Sequence, residues 1–336
     1  MIDTHMSPEP NDDDQPPMFP ALSILERQTP PARYGREPFW RAPVTPPSRD
    51  VYIPHWNWIG IHEIPADREA LTLDANGAYL AAIGAVQVAH SHLKETGGIH
   101  HGEYPSPRQV LPGYYRVRTP YWAFSGTIVS PLGDSSRTET EESLWVAHPT
   151  LQLMLELHEQ GALADVVIYD SWTSDVRTDF RDWSATLREL RLTRLDAIDQ
   201  AQTDATRKAA EDQYDAFKEG YSAALSMMLT GEKCRTRRPD WNHAVLAHAS
   251  AAMWRKAWRW TETGRPLISM GATDEITVIG ADLPEVMSKP KPPFKYDPTG
   301  RQLGALKPKP NAAPVRTDQR AQDVPMVLDT DGDDIL

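Results

Sequence analysis

Cysteine is almost absent: among 336 residues only Cys234 carries a thiol. An intramolecular disulfide is excluded, and a reducing compartment suits the chain. No apolar run approaches the ~20 residues of a membrane helix. The N-terminus is acidic and Pro-rich, without the basic-then-apolar order of a secretory signal. The expectation is a soluble, cytoplasmic protein with no membrane partner. Net positive charge is also lacking: the formal value is -12, which weighs against a simple nucleic-acid binder. The acid, however, collects near the ends, in Asp12-Asp-Asp14 and in Asp329, Asp331, Asp333 and Asp334. Base collects in Arg181–Arg194, Lys233–Arg238, Arg255–Arg265 and Lys289–Lys309. A locally positive groove inside an acidic protein is compatible with that distribution. Internal repeats are missing too.

What is present suffices for a core: 40% of residues are hydrophobic and eleven are Trp, in a chain long enough for one large domain or two ordinary ones. Residues 1–50 are Pro-rich, polar and aperiodic, which predicts a disordered or extended arm with Trp40 as an anchor. A strand and turn are expected over 51–60, a strand over 71–75, a turn at Asn76-Gly77 and a helix over 78–92. Alternation predicts a strand over 113–118, paired in a hairpin with 127–129. Short strands over 144–147 and 165–170 flank a helix over 149–158 with Pro in its first turn. Two long amphipathic segments, 180–200 and 204–229, read as a helical hairpin. A helix over 241–261 follows, then a strand hairpin over 266–279 with Asp274 at its bend.

Asp74 ends the apolar run Leu71-Thr-Leu-Asp-Ala-Asn-Gly-Ala-Tyr79, and Asp274 interrupts Ile268-Ser-Met-Gly-Ala-Thr-Asp-Glu-Ile-Thr-Val-Ile279. Two carboxylates on adjacent strands can hold a pair of divalent cations, the requirement for phosphoryl transfer to a nucleotide. A long helical stretch rich in Arg and Lys lies between them.

These residues resemble the palm and fingers of family B DNA polymerases. Asp74-Ala-Asn-Gly-Ala-Tyr79 is similar to the first palm motif. Lys218-Glu-Gly-Tyr-Ser-Ala-Ala-Leu-Ser226 is similar to a degenerate fingers motif, with Ser222-Ala223 and Leu225 as departures. Gly271-Ala-Thr-Asp274-Glu resembles the second palm motif, with Ala272 in place of its first Asp. Leu303-Gly-Ala-Leu-Lys307 resembles the stretch that follows the palm in protein-primed members. The likeness spans about residues 70–310 in the family's order, and the compact form looks most like polymerase-type proteins of actinobacterial linear replicons. It implies an α+β fold: an antiparallel-sheet palm and a helical-hairpin fingers subdomain, with no exonuclease domain and a minimal thumb. The implied division is an arm at 1–50, palm at 51–179, fingers at 180–230, palm again at 231–288, and a basic tail or rudimentary thumb with an acidic end at 289–336.

By the same resemblance, Asp74 and Asp274 would hold Mg²⁺ or Mn²⁺, with Glu275 either a further ligand or exposed. Asn76 would contact the nucleotide, and Tyr79 would lie under the sugar and exclude a 2′-hydroxyl. Lys218, Arg191, Arg188 and Arg194 would grip the β- and γ-phosphates. Arg235, Arg237, Arg238 and Lys307 would follow the DNA backbone, or their segments are solvated linkers. The partners implied are dNTP, DNA and a terminal protein. The alternative is an inactive polymerase-like scaffold, or a helical adaptor in which the motif order is accidental. His90, His92, His100, His101, His243 and His248 lack a Cys partner or an H-E-x-x-H spacing and read as surface or capping groups. Trp241, Trp254, Trp258 and Trp260 read as helix packing.

Overall fold

The computed structural model describes residues 33–34, 37–38, 45–60, 64, 68–99, 102–133, 136–230 and 237–309. Trp40, Cys234, Arg235, His100, His101 and both acidic ends fall outside these residues. The fold is α+β with two five-stranded sheets among the described residues. In the first sheet the strand order is Val51–Tyr52, Ser143–Ala147, Gly113–Arg118, Ile168–Thr173, Lys94–Glu95. Its pairings are antiparallel except that of the first two strands. In the second the order is Leu306–Pro308, Ala70–Ala75, Glu275–Ile279, Leu267–Ala272, Trp56–Ile59, antiparallel throughout.

Helix Pro239–Thr261 packs against both sheets and against helices Ala78–Ile83, His148–Glu159 and Asp204–Thr230. Its small residues Ala244, Ala247, Ala251 and Ala257 let neighbouring elements approach, while Trp241, Trp254 and Trp260 are wholly buried. Each indole N–H finds a carbonyl: Ala89 for Trp241, Val129 for Trp254 and Pro266 for Trp260. The expected packing role of these Trp residues matches this burial, which satisfies the polar edge of each ring. Helices Arg181–Asp199 and Asp204–Thr230 fold back on one another through a short connection. Trp183 and Leu187 on the first meet Tyr221, Leu225 and Met228 on the second in one apolar cluster.

Four expectations need correction. The helix after Gly77 ends at Ile83, not at residue 92. Gly84 packs so tightly against Ser184 that a Cβ there would lie 2.6 Å from its Oγ. Val86 and Val88 are buried, and Gln87–Ala89 forms a strand paired with Arg177–Asp179. Residues 127–129 form no strand: Thr127 and Ile128 both bond back to the Phe124 carbonyl, and Ile128 and Val129 are buried beneath Trp122 and Trp254. The strand at 113–118 instead pairs with 143–147 and 168–173. The strand expected over 165–170 lies over 168–173, its apolar start serving as a buried lead-in at Val166. His243, read as a surface group, is buried; its Nδ1 shares a 2.9 Å hydrogen bond with the Tyr114 hydroxyl.

Candidate active site

Strand Ala70–Ala75 lies between two partners, and their register sets the site. Glu275 stands opposite Asp74 on one side and Lys307 stands opposite it on the other. Residues directly opposed across antiparallel strands share a face, so Glu275, Asp74 and Lys307 form a row across the sheet. Leu73 and Ile276 alternate to the other face and are fully buried in the core. One pair down the ladder, the hydroxyls of Thr72 and Thr277 meet at 3.0 Å. The turn of the 267–279 hairpin carries Asp274, whose carbonyl accepts a 2.8 Å hydrogen bond from the Ala75 amide. The two acids, remote in sequence, thus flank one strand end.

Their electrostatics reflect this crowding. Burial pushes the Asp274 carboxyl up to about 6, with repulsion from Asp74 and then Glu275 adding to it. Asp74 is raised too, chiefly by burial and against the pull of Lys307; Glu275 adds to the rise, and Lys309 and Lys218 oppose it. The Lys307 ammonium stands 3.8 Å from the Asp74 carboxylate, and Lys309 pairs with Glu275. Like charges on opposed strands are destabilising, so these lysines act as resident counter-charges.

Tyr79 leans over the same turn, its hydroxyl 3.4 Å from Thr273 Oγ1. The helical hairpin supplies cations from the other side. Lys218 is half-exposed, lies over the Tyr214 ring, and stands 3.5 Å from Asp215. The Arg194 guanidinium lies over Phe217, with its buried Nε lacking a hydrogen-bond partner. Tyr221 is pushed up to about 12 mainly by burial, and it feels Tyr214, Arg191, Tyr79 and Asp274.

Three expected contacts fail on geometry. Arg191 is 3% exposed; its guanidinium donates to the carbonyls of Arg301 at 2.9 Å and Gly300 at 2.5 Å and to Asn76 Oδ1 at 2.8 Å. Three of its five N–H donors are spent inside the protein and the group is shut off from solvent, so it is not presented for the phosphate grip expected. Asn76, 2% exposed, spends its amide on the Gly300 and Gln302 carbonyls, so it faces the protein and not a nucleotide. Arg238 is fully buried, stacked on Trp241 and paired with Asp240, which removes it from any DNA backbone. Arg188 is exposed and lines a groove of about 420 Å³ with Arg181, Ser184 and Asp196. Arg237 is partly buried. Sequence reasoning misses Lys309 and Tyr214; the alternation of Lys307 and Lys309 along one strand edge was the available signal for the first.

Among the described residues no group of three or more His, Cys, Asp or Glu side chains is placed to hold a metal ion. The acids still suit one: Mg²⁺ commonly takes only one or two carboxylates and fills its shell with water and substrate phosphates. A carboxyl pushed up by burial, and then by its acidic neighbours, is the condition such a cation relieves. Glu275 is engaged closely by Lys309 and Asp74 more loosely by Lys307 at 3.8 Å, so Asp74 and Asp274 are the acids that would hold a cation.

No protein-family model and no curated protein matches the chain. Solved structures similar in shape include phi29 DNA polymerase with primer-template DNA and incoming nucleotide: TM-score 0.44, 14% identity, covering 77% of this chain and 46% of that one. The same polymerase with primer-template DNA gives a TM-score of 0.46 at 14% identity, again over 77% of this chain and 46% of the other. With single-stranded DNA the figures are 0.44 and 13%, over 77% and 45%. The chain thus spans under half the length of these polymerases, and at such scores function must be judged on the site. No described helix is long and apolar enough to cross a membrane.

Proposed function

We propose that this chain is a family B-type DNA nucleotidyltransferase that adds dNMP from dNTP to a DNA 3′-hydroxyl or a terminal-protein hydroxyl, with Mg²⁺ or Mn²⁺. One observation carries the reading: the acids of two motifs far apart in the chain meet at the end of one strand, opposite a helical hairpin bearing Lys218 and Arg194. The motif order in the sequence agrees with it. In this reading the 70–75 and 267–279 strands are palm and the 181–230 hairpin is fingers.

Asp74 and Asp274 would hold the cations, which when bound supply Lewis-acid stabilisation of the phosphoryl oxygens. Lys218 and Arg194 would receive the triphosphate tail, where charge-assisted hydrogen bonds suit both side chains. Tyr79, standing over the Asp274 turn, would bound the sugar. The attacking hydroxyl forms a bond to the α-phosphorus as the bond to pyrophosphate breaks. Lys307 and Lys309 would balance the acids before substrate arrives.

The test is incorporation of labelled dNMP with Mn²⁺ or Mg²⁺, on primed DNA and on a protein acceptor. Activity in the parent that disappears in both Asp74→Asn and Asp274→Asn supports the assignment; equal activity in both variants refutes it. A second reading, an inactive scaffold that binds DNA ends, draws on the lysines already paired with Asp74 and Glu275. A thermal shift on adding Mn²⁺ with dNTP favours the enzyme, and its absence favours the scaffold.

A further inference from the structure

Arg191 presents a physical puzzle that phosphate binding does not solve. Its guanidinium is buried, yet among the described residues no carboxylate pairs with it: the acceptors are two main-chain carbonyls and the Asn76 side-chain oxygen, and a Tyr214 ring lies 5.9 Å away. Burying a cation among neutral groups is costly, and apolar replacements of buried charges are often neutral or better for stability. A retained charge of this kind needs a task in orientation.

The wiring around it supplies one. Asn76 lies two residues after Asp74. Its amide N–H donates to the Ala305 carbonyl at 2.9 Å, and its own carbonyl accepts from Gly304 at 2.8 Å. Its side chain donates to Gly300 and Gln302 while accepting from Arg191. Gly77, at φ +58°, presses on Leu303: a Cβ there would come within 2.7 Å of Leu303 Cδ2. Arg301 reaches back to Asp196 and Asp199 on the helix that carries Arg191. Beyond this loop the chain enters the 306–308 strand, which delivers Lys307 to Asp74 and Lys309 to Glu275. The turn after Asp74, the 300–305 loop and helix Arg181–Asp199 are therefore joined at one guanidinium.

We propose that Arg191 is a positioning residue: through Asn76 and the Gly300–Arg301 carbonyls it fixes the direction of the Asp74 carboxylate and couples it to the helical hairpin. This deepens, and rests on, the nucleotidyltransferase reading. Arginine suits the task because its planar fork reaches three acceptors at once, which a lysine ammonium on a flexible stem does not reproduce.

The experiment uses the full chain with Arg191→Lys and, as a second variant, Asn76→Ala. Mn²⁺ alone is the probe, titrated by electron paramagnetic resonance, and circular dichroism melts report folding. The expected result is a cooperative melt in at least one variant with Mn²⁺ affinity weakened by about tenfold, the scale of losing a partner that orients a metal ligand, although no carboxylate has been removed. In primer extension kcat falls while KM for dNTP changes little. Parent-like Mn²⁺ affinity in a folded variant overturns the proposal, as does a rise in KM at unchanged kcat, which would make Arg191 a direct phosphate contact. If the parent itself neither binds Mn²⁺ nor adds nucleotide, the enzymatic reading fails separately. The coupling is then judged by amide exchange: faster exchange at Asn76 and Gly304 in Arg191→Lys, with helix 239–261 unchanged, supports it, and parent-like exchange at those amides overturns it.

Discussion

The two sheets treat buried titratable groups in opposite ways. Around the 113–118 sheet, such groups are settled. His148 is held neutral by burial, down at about 3, with its ring nitrogens toward the Gln87 carbonyl and the Gly113 amide. His243, lowered to about 4 by burial, shares its hydrogen bond with Tyr114. Around the 70–75 sheet, the acids are crowded and only half compensated: Asp274 repels Asp74 and Glu275, and the lysines serve Asp74 and Glu275 first. Satisfied burial builds structure, whereas unrelieved charge stores a capacity to bind. That contrast separates the scaffold from the candidate site more sharply than burial alone.

The comparison breaks at its strongest point if Asp274→Asn leaves nucleotide incorporation intact; the expected outcome is loss to background, measured with labelled dNTP. Next in size is the scaffold itself. Trp254→Ala empties a wholly buried site and strands the Val129 carbonyl, so urea unfolding should show about 4 kcal/mol of lost stability.

Acid should then act through the settled histidines. Unfolded imidazoles take protons near 6.5, while folded His148 and His243 resist to about 3 and about 4. The unfolded chain binds more protons between those limits, so their stability contribution is complete above 6.5 and lost as pH falls below it. Each should cost about 2 kcal/mol by pH 5, and His148→Gln should flatten that slope in denaturation curves taken from pH 7 to 5. The smallest effect has the opposite sign. Folded Asp274 keeps its proton up to about 6, above the unfolded value, so its contribution is full at acid pH and lost as pH rises through 6. At pH 7.5 with chelator, Asp274→Asn should melt about 2 °C higher than the parent, a modest gain because solvent reaches the group. Added Mn²⁺ should stabilise the parent and not this variant.

Much of the fold was legible where periodicity was long or turn chemistry explicit. The 267–279 hairpin, the two helices of the 181–230 pair and helix 239–261 all appear where alternation or helical spacing placed them, within a few residues. The misses share a cause. Residues 84–92 and 127–129 are short apolar stretches whose state depends on what covers them: Ser184 and strand 177–179 for the first, two Trp rings for the second. Within the candidate site, motif order grouped Asp74, Asp274, Tyr79 and Lys218 with Arg191 and Asn76, and it did not reveal that the last two are spent on the protein's own oxygens. Both types occur freely on surfaces, and only the loop at 300–305 takes them out of solvent.

By itself the sequence determined the carriers of chemistry: which acids end apolar runs, which helix faces bear Arg and Lys, and where glycine permits a turn after Asp74. These follow from local rules, since strand alternation, helical spacing and backbone freedom each involve only near neighbours. Only the tertiary structure decided which charges are available. Cross-strand register set Lys307 against Asp74, and loop packing turned Arg191 from an apparent phosphate ligand into an internal tie. Register and burial arise from contacts between distant segments, and those contacts set the dielectric and the partners that decide what a charge can do.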